Sequence, residues 1–272
     1  NAQGSHNGTY SVIAIGDGGN ATSNNAIVGV RLPNNLSEFT GGLVAYYPFT
    51  GNANDAGGNG YHGTVNGASL GTDRKGSENE AYNFDGTNDQ VSVPTTGQPA
   101  GNLDRTYAAW VKTDWSSGTA GIYKAFFATG KNITDQAVVL VVRSDGKLAY
   151  SKWGDVHLTT ATINDNEWHH ITFALESQTA RTYVDGVLVK TAAFDPNTVL
   201  TSTYIGTRID AGAEFWSGPI DDVRIYDRAL SSAEAKKLFD LEKSPPPSVS
   251  AQPTGTTAVA GSTVSLSVTA TG

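Results

Sequence analysis

Residues 54–60, Asn54-Asp55-Ala56-Gly57-Gly58-Asn59-Gly60, crowd carboxylate, amide and glycine into one short stretch. Glycines let backbone carbonyls turn towards the same point as side-chain oxygens, and Ca2+ is a hard cation that takes roughly six to eight oxygens at about 2.3–2.6 Å. Asp55 and Asn59 are therefore candidate ligands. Their spacing follows no EF-hand pattern, and the competing reading is that Asn54, Asp55 and Asn59 only make turn hydrogen bonds. Trp115, Trp153 and Trp216 suggest a second kind of chemistry. Each lies near a strand end beside small or polar residues, as in Trp115-Ser116-Ser117, Lys152-Trp153-Gly154 and Trp216-Ser217-Gly218. An indole placed there can stack on the apolar face of a sugar. Packing competes with that role, because Trp is on average highly buried.

Bond-breaking chemistry finds less support. Glycoside hydrolysis needs two carboxylates at a fixed separation, and a Glu-x-Asp-x-Glu run would place them in one groove. Glu78 and Glu80 come closest, without an acidic third member and in a polar loop. Gly67-Ala68-Ser69-Leu70-Gly71 matches a hydrolase nucleophile elbow as a string, but that elbow needs a strand turning into a helix, and β and loop character surround this one. Gly58–Gly63 matches a dinucleotide fingerprint and lacks the βαβ unit that would aim amides at a pyrophosphate. His169 and His170 alternate across one strand, so they cannot chelate one ion together, and His170 reads as a buried, hydrogen-bonded core residue. No enzyme is expected.

These side chains are carried by short β runs. LVAYYPF (43–49), QVSVP (90–94), TYAAWVKT (106–113), QAVVLVVRS (136–144), WHHITFALE (168–176), ARTYVDG (180–186) and VLVKTA (187–192) are rich in β-branched and aromatic residues. Asp85-Gly86, Asp145-Gly146 and Asp185-Gly186 supply the positive-φ step of tight turns, the last two between β runs on both sides. Many short strands with hardly any helical periodicity predict an all-β antiparallel sandwich. Trp110 and Trp168, inside such runs, are predicted to fill the space between its sheets. One helix is predicted over 231–242, where Ser231 and Glu234 form a capping box and Ala235, Leu238 and Leu241 recur at helical spacing.

With 272 residues, the chain has room for one large β domain or about two average ones. A net charge of −8 without a Lys or Arg block removes the attraction on which phosphate-backbone binding depends, so nucleic acid is not an expected partner. Zero Cys excludes disulfides, thiolate metal sites and cysteine nucleophiles. No apolar run approaches the roughly 20 residues that span a bilayer, so membrane insertion is not expected, and the opening Asn1-Ala2-Gln3 reads as a piece of something larger.

Four segments appear in a telling order: GLVAYYPFTGNANDAGGNGYHGTVNG (42–67), AYNFDGTNDQVSVP (81–94), NEWHHITFALESQTARTYVDGVLVKT (166–191) and YIGTRIDAGAEFWSGPIDDVRIYDRALSSAEAKKL (204–238). Through them the region 42–243 resembles a laminin-G-like domain of the concanavalin-A-like jelly-roll superfamily. The resemblance implies an all-β jelly roll over 40–243 with one short C-terminal helix. It also implies a metal held between the early loop, with Asp55 and Asn59, and the acidic pair Asp221 and Asp222. Alternation along a strand would aim one of that pair, Asp222 by preference, at the ion and the other at solvent or Arg224.

The flanks differ. Residues 1–35, with GTYSVIAI (8–15), AIVGV (26–30) and a corner tyrosine at Tyr10, resemble the last strands of a bacterial immunoglobulin-like domain. Residues 244–272 resemble a proline linker, Ser244-Pro245-Pro246-Pro247, and the first strands of another. Together these features suggest a non-catalytic, extracellular or cell-surface bacterial module for adhesion or glycan binding. Its expected cofactor is a structural Ca2+. Expected partners are a glycan or surface protein, and neighbouring domains or subunits through the termini. Two alternatives stay open: a spacer or filament subunit that exchanges immunoglobulin-like strands, and an accessory module of a polysaccharide-degrading enzyme.

Overall fold

The computed structural model describes residues 36–119, 121–210 and 212–243, and short strands within 8–28, 248–251 and 269–271. It divides into a unit of residues 37–241 and a unit of the terminal segments 1–36 and 242–272. In the terminal unit, β1 (Gly8–Tyr10) pairs antiparallel with β4 (Ala26–Val28), and β2 (Ile13–Gly16) with β3 (Gly19–Thr22). The proline linker Ser244-Pro245-Pro246-Pro247 and the side chain of Tyr10 lie outside the described residues.

The large unit is a sandwich of two antiparallel sheets. One holds β5 (Leu43–Tyr47), β7 (Ser69–Gly71), β8 (Ala81–Asp85), β10 (Arg105–Lys112), β15 (Trp168–Glu176), β16 (Thr179–Val184), β17 (Val187–Ala193) and β19 (Ser217–Tyr226). Its strands run β17-β16-β15-β10-β19-β8-β7, with β5 also on β19. The other holds β6 (Thr64–Asn66), β9 (Gln90–Val93), β11 (Tyr123–Gly130), β12 (Ala137–Arg143), β13 (Lys147–Ser151), β14 (Val156–Thr162) and β18 (Ser202–Ile205), in the order β14-β13-β12-β11-β18-β9-β6. Between the sheets, Tyr107 of β10 meets Phe127 of β11 at 4.5 Å between ring centroids, and Val91, Val138, Leu140, Phe173 and Ile225 complete the dry centre.

Turn chemistry sets two of the hairpins. Asp185 and Gly186 both take positive φ, 52° and 74°, the primed geometry that matches strand twist between β16 and β17. Between β12 and β13 Gly146 takes the left-handed step, at φ 81°, and its N–H donates to the Arg143 carbonyl at 2.8 Å. Asp85-Gly86 instead lies between β8 and β9, which belong to different sheets.

The helix α1 (Ser232–Lys243) starts where its capping box does. The Ser231 N–H donates to Glu234 Oε2 at 2.8 Å, and the Glu234 N–H donates back to Ser231 Oγ at 3.3 Å. Ala235 packs with Ala174 and Tyr183, and Phe239 lies 5.7 Å from Trp110, so α1 covers the outer face of the larger sheet. That corrects one expectation: Trp110 is buried beneath the helix, beside His170 and Arg74, and not between the sheets. Its neighbours Ala109 and Val111 face the inter-sheet core, which strand alternation then denies to Trp110. Trp168 is only partly buried.

Candidate functional site

The acidic pair near the last strand sits under α1, and the local backbone explains its geometry. Between Ala108/Trp110 and Arg224/Asp221 the ladder of β10 and β19 shifts register, so β19 carries an extra residue, and Asp222 adopts φ 48°. Such a bulge breaks simple alternation. Asp221 and Asp222 therefore do not diverge as alternation predicts. Both meet Arg74, at 2.5 Å from Nη1 to Asp221 Oδ2 and 2.7 Å from Nη2 to Asp222 Oδ2. Tyr46 donates its hydroxyl to Asp222, and the Arg224 guanidinium stacks 3.8 Å above the Tyr46 ring. Burial and the neighbouring Asp222 charge push the Asp221 carboxyl well up, whereas Arg74 and Arg224 hold Asp222 down in spite of its burial.

The early loop is satisfied separately. Asp55 accepts the backbone N–H groups of Tyr46 (3.0 Å), Gly57 (2.7 Å) and Tyr61 (3.1 Å), and Asn59 donates its amide to the carbonyls of Leu43 and Val44. Tyr46 stands between the two halves, its backbone on Asp55 and its hydroxyl on Asp222. A divalent cation would need these oxygens free and convergent. Here a guanidinium already occupies the acidic pair and amides occupy the loop carboxylate, so the four residues as arranged do not fit Ca2+. Among the described residues, no group of three or more His, Asp or Glu could hold a metal ion.

His169 and His170 do face opposite ways. His170 is fully buried, and burial, with Arg224 and Arg74 nearby, pushes its imidazole down to about 3. His169 lies at the edge with Nδ1 2.8 Å from Asp185 and Nε2 3.1 Å from Asp165. The hydrogen bond that its ring makes to the Asp185 carboxylate raises it, against a smaller opposing effect of burial.

The three tryptophans separate. Trp216 is 0% exposed, edge-to-face with Phe126 at 5.5 Å, and part of the inter-sheet core. It is not a ligand platform, because its indole is enclosed between the sheets against Phe126. Trp115 packs partly buried against the same core, with Lys124 Nζ 5.6 Å from its ring. Trp153 lines an open pocket.

That pocket lies on the outer face of the smaller sheet. β12 reads AVVLVVR, apolar at every step to Val142. Val138, Leu140 and Val142 enter the core between the sheets, and Val139 and Val141 face outward into a second apolar cluster with Ala125, Ala128, Ala137, Ala149 and Ile209. Val139 and Val141 make the pocket floor, Tyr123, Ser151 and Trp153 its sides, and Arg208 and Glu214 of the loop after β18 its far wall, around a volume of about 200 Å³. The loop is tied down by Ser202 Oγ donating to the Ile209 carbonyl and Thr207 Oγ1 to the Ala213 carbonyl. Ala125 N–H donates to the Glu214 carbonyl at 2.7 Å, anchoring it to β11.

Trp153 and Glu214 both sit in the left-handed region, at φ 68° and 57°. Side chains of that size rarely adopt it, and the cost is of order 1–3 kcal/mol each. Arg208 stacks on Trp153, donates from Nε to Asp210 Oδ1 at 2.8 Å, and places Nη1 3.9 Å from Glu214 Oε1. Burial raises Glu214, and the Arg208 charge only partly opposes it. Tyr123, Val139, Val141, Arg208 and Glu214 were not legible as site residues from spacing alone. The unbroken apolar run over 137–142 was the available signal, since a strand that is apolar on both faces must be covered on both.

Solved structures share this architecture. The binding domain of Paraclostridial mosquitocidal protein 1 superposes with a TM-score of 0.60 at 18% identity, over 73% of this chain and 52% of that one. Domain 4 of AbnA, an extracellular arabinanase from Geobacillus stearothermophilus solved with arabinotriose, gives 0.55 at 19% identity, over 73% of this chain and 97% of that domain. The botulinum neurotoxin serotype D ligand-binding domain, solved with N-acetylneuraminic acid, gives 0.59 at 14% identity, over 75% and 52%. The chain thus spans about half the length of the toxin domains and nearly all of the arabinanase domain. At these identities the likeness is one of fold. No curated protein sequence matches the chain. A family model for the concanavalin A-like lectin/glucanases superfamily matches residues 85–236, more than half the sequence and most of both sheets, and the chain belongs to that superfamily.

Proposed function

We propose that residues 37–241 are a non-catalytic carbohydrate-binding module of a larger extracellular protein, and that the pocket between Trp153 and Glu214 holds the sugar. One observation carries the reading: an aromatic wall, an apolar floor and a few polar groups converge on an open face that the fold covers only in part. Aromatic rings take the C–H face of a sugar, and Arg208, Glu214 and Ser151 offer hydrogen bonds to its hydroxyls. Carbohydrate ligands in related folds, arabinotriose in one and N-acetylneuraminic acid in another, support it. The pocket lining presents one carboxylate, Glu214, because Asp210 is turned onto Arg208 and Asn132. Hydrolysis calls for two across a scissile bond, which favours binding over cleavage.

An accessory role beside a polysaccharide-degrading domain is a second reading, favoured by the near-complete span of the arabinanase domain. The terminal segments would then belong to neighbouring modules of the same protein. Screening immobilised glycans with the intact chain and its Trp153→Ala variant tests the proposal. Retention of a glycan by the wild type and its loss in the variant is the expected result, with no release of reducing ends. Binding that ignores Trp153 would sink the assignment of this pocket.

A further inference from the structure

The charges around the pocket go further than its shape. Arg208 is the group best suited to grip a ligand carboxylate, because its fork matches that anion's geometry. The Nε/Nη2 edge of that fork is already committed, with Nε 2.8 Å from Asp210 Oδ1 and Nη2 3.3 Å from Asp210 Oδ2, and Nη1 faces a second carboxylate, Glu214, at 3.9 Å. One cation is thus set against two carboxylates, in a chain whose net charge is −8. A ligand carboxylate on the Nε/Nη2 edge would have to displace Asp210, and one on Nη1 would stand directly beside Glu214. Like charges held together in a partly desolvated site discriminate strongly against the wrong ligand.

Size narrows the ligand as well. About 200 Å³ falls below the roughly 300–1,000 Å³ of pockets for drug-sized ligands, so the space accepts one ring. Gly154 and Val156 are exposed at its rim, which leaves a path for the rest of a chain to run into solvent.

We propose that this pocket selects a single neutral sugar ring of a glycan and rejects uronic and sialic acids, with the Glu214 carboxylate accepting a ring hydroxyl and the Asp210–Arg208 pair holding the wall in place. The inference rests on the carbohydrate-binding reading above and deepens it. It also separates the two sugar ligands seen in related folds: an arabinose-like neutral ring fits this wall and N-acetylneuraminic acid does not. A neutral Glu214 carboxyl is a weaker acceptor than the carboxylate, and burial, with the Asp210 charge, already lifts it against Arg208, so affinity should fall as the solution is acidified.

The test is an amide NMR titration of the full chain with arabinotriose and with matched pairs: galactose against galacturonic acid, glucose against glucuronic acid, and N-acetylneuraminic acid as the sialic acid. The neutral sugars should shift amides of 151–156 and 206–214, and any acidic partner should bind at least about tenfold more weakly. Glu214→Gln should weaken the neutral ligand and narrow the gap between pair members. Tyr123→Ala serves as a second pocket variant should Trp153→Ala fail to fold. An acidic sugar that binds as tightly as its neutral partner, with the shifts lost in Trp153→Ala or Tyr123→Ala, overturns the charge selection and leaves the carbohydrate reading standing. No shift with any sugar, or shifts that both variants retain, overturns both.

Discussion

The guanidinium of Arg208 lies over the indole of Trp153, 5.2 Å from the ring centroid, and so one wall of the pocket leans on the other. A cation over an indole contributes about 0.5–1 kcal/mol at an exposed site. Each residue also makes contacts of its own, so single substitutions would confound the pair term. A double-mutant cycle with Arg208→Ala and Trp153→Ala, read by urea unfolding, should give a coupling of about 0.5–1 kcal/mol. A coupling of zero would mean that the two walls are positioned independently, each by its own loop.

Arg74 does under the helix what a metal ion would otherwise do: it holds two adjacent carboxylates together. Chelator or added Ca2+ should therefore leave the melting temperature unchanged, because an ion that does not bind the native state cannot stabilise it by mass action. Arg74→Ala should cost about 3–5 kcal/mol, the range for removing one partner of a buried ion pair. The two acids should not respond alike. Asp222 is held down by Arg74 and Arg224 and so stabilises the fold above its ordinary pKa, a contribution lost as pH falls through the folded value. Asp221 is lifted by burial, so its ionisation opposes folding at neutral pH. Asp222→Asn should then be the more damaging change at pH 7, by calorimetry. A melting point that rises with Ca2+ would return the loop and the acidic pair to metal binding.

The sandwich was readable because short runs of β-branched and aromatic residues are parted by turn residues, as at Asp185-Gly186, and the helix because Ser231 and Glu234 cap it. What escaped was set by events that pairwise spacing does not encode. A single extra residue in β19 turns Asp222 to the side of Asp221, so that Arg74 pairs with both carboxylates where alternation alone would have parted them. Trp153 and Trp216 have similar small, polar neighbours, yet one stands at a hairpin end and the other at the entry to a strand buried on both faces. The pocket itself joins residues from 123 to 214, a range no local motif spans.

His169 bridges Asp165 and Asp185, and Asp185 Oδ1 also accepts the backbone N–H of His170, so the bridge fastens the β16–β17 turn to β15. Its folded pKa is raised by the Asp185 hydrogen bond, with burial opposing. A raised histidine stabilises fully below its unfolded value, about 6.5, and the contribution disappears as pH climbs through the folded value. The melting-temperature gap between wild type and His169→Gln should accordingly be widest below about pH 6.5 and narrow as pH climbs above that value. A gap that is constant across that range would assign His169 to packing and not to charge.

Gly206 opens the loop that carries Arg208 and Glu214, at φ 87°. A Cβ built on it would meet Phe84 Cε1 at 2.2 Å, and Phe84 is a core ring with little room to withdraw. The backbone N–H of Gly206 donates to the Phe126 carbonyl, and its own carbonyl accepts from Trp216, so both ends of the loop close on this residue. Gly206→Ala combines a left-handed backbone with overpacking, a cost of about 1–3 kcal/mol. Because the strain falls at the root of the pocket wall, sugar affinity should drop along with stability. The control is Gly121→Ala, also at positive φ but with open space around the added Cβ, which carries the backbone penalty alone and should leave affinity unchanged. Equal affinity in the two variants, measured by titration well below both melting points, would show that the loop keeps its shape without the close approach to Phe84.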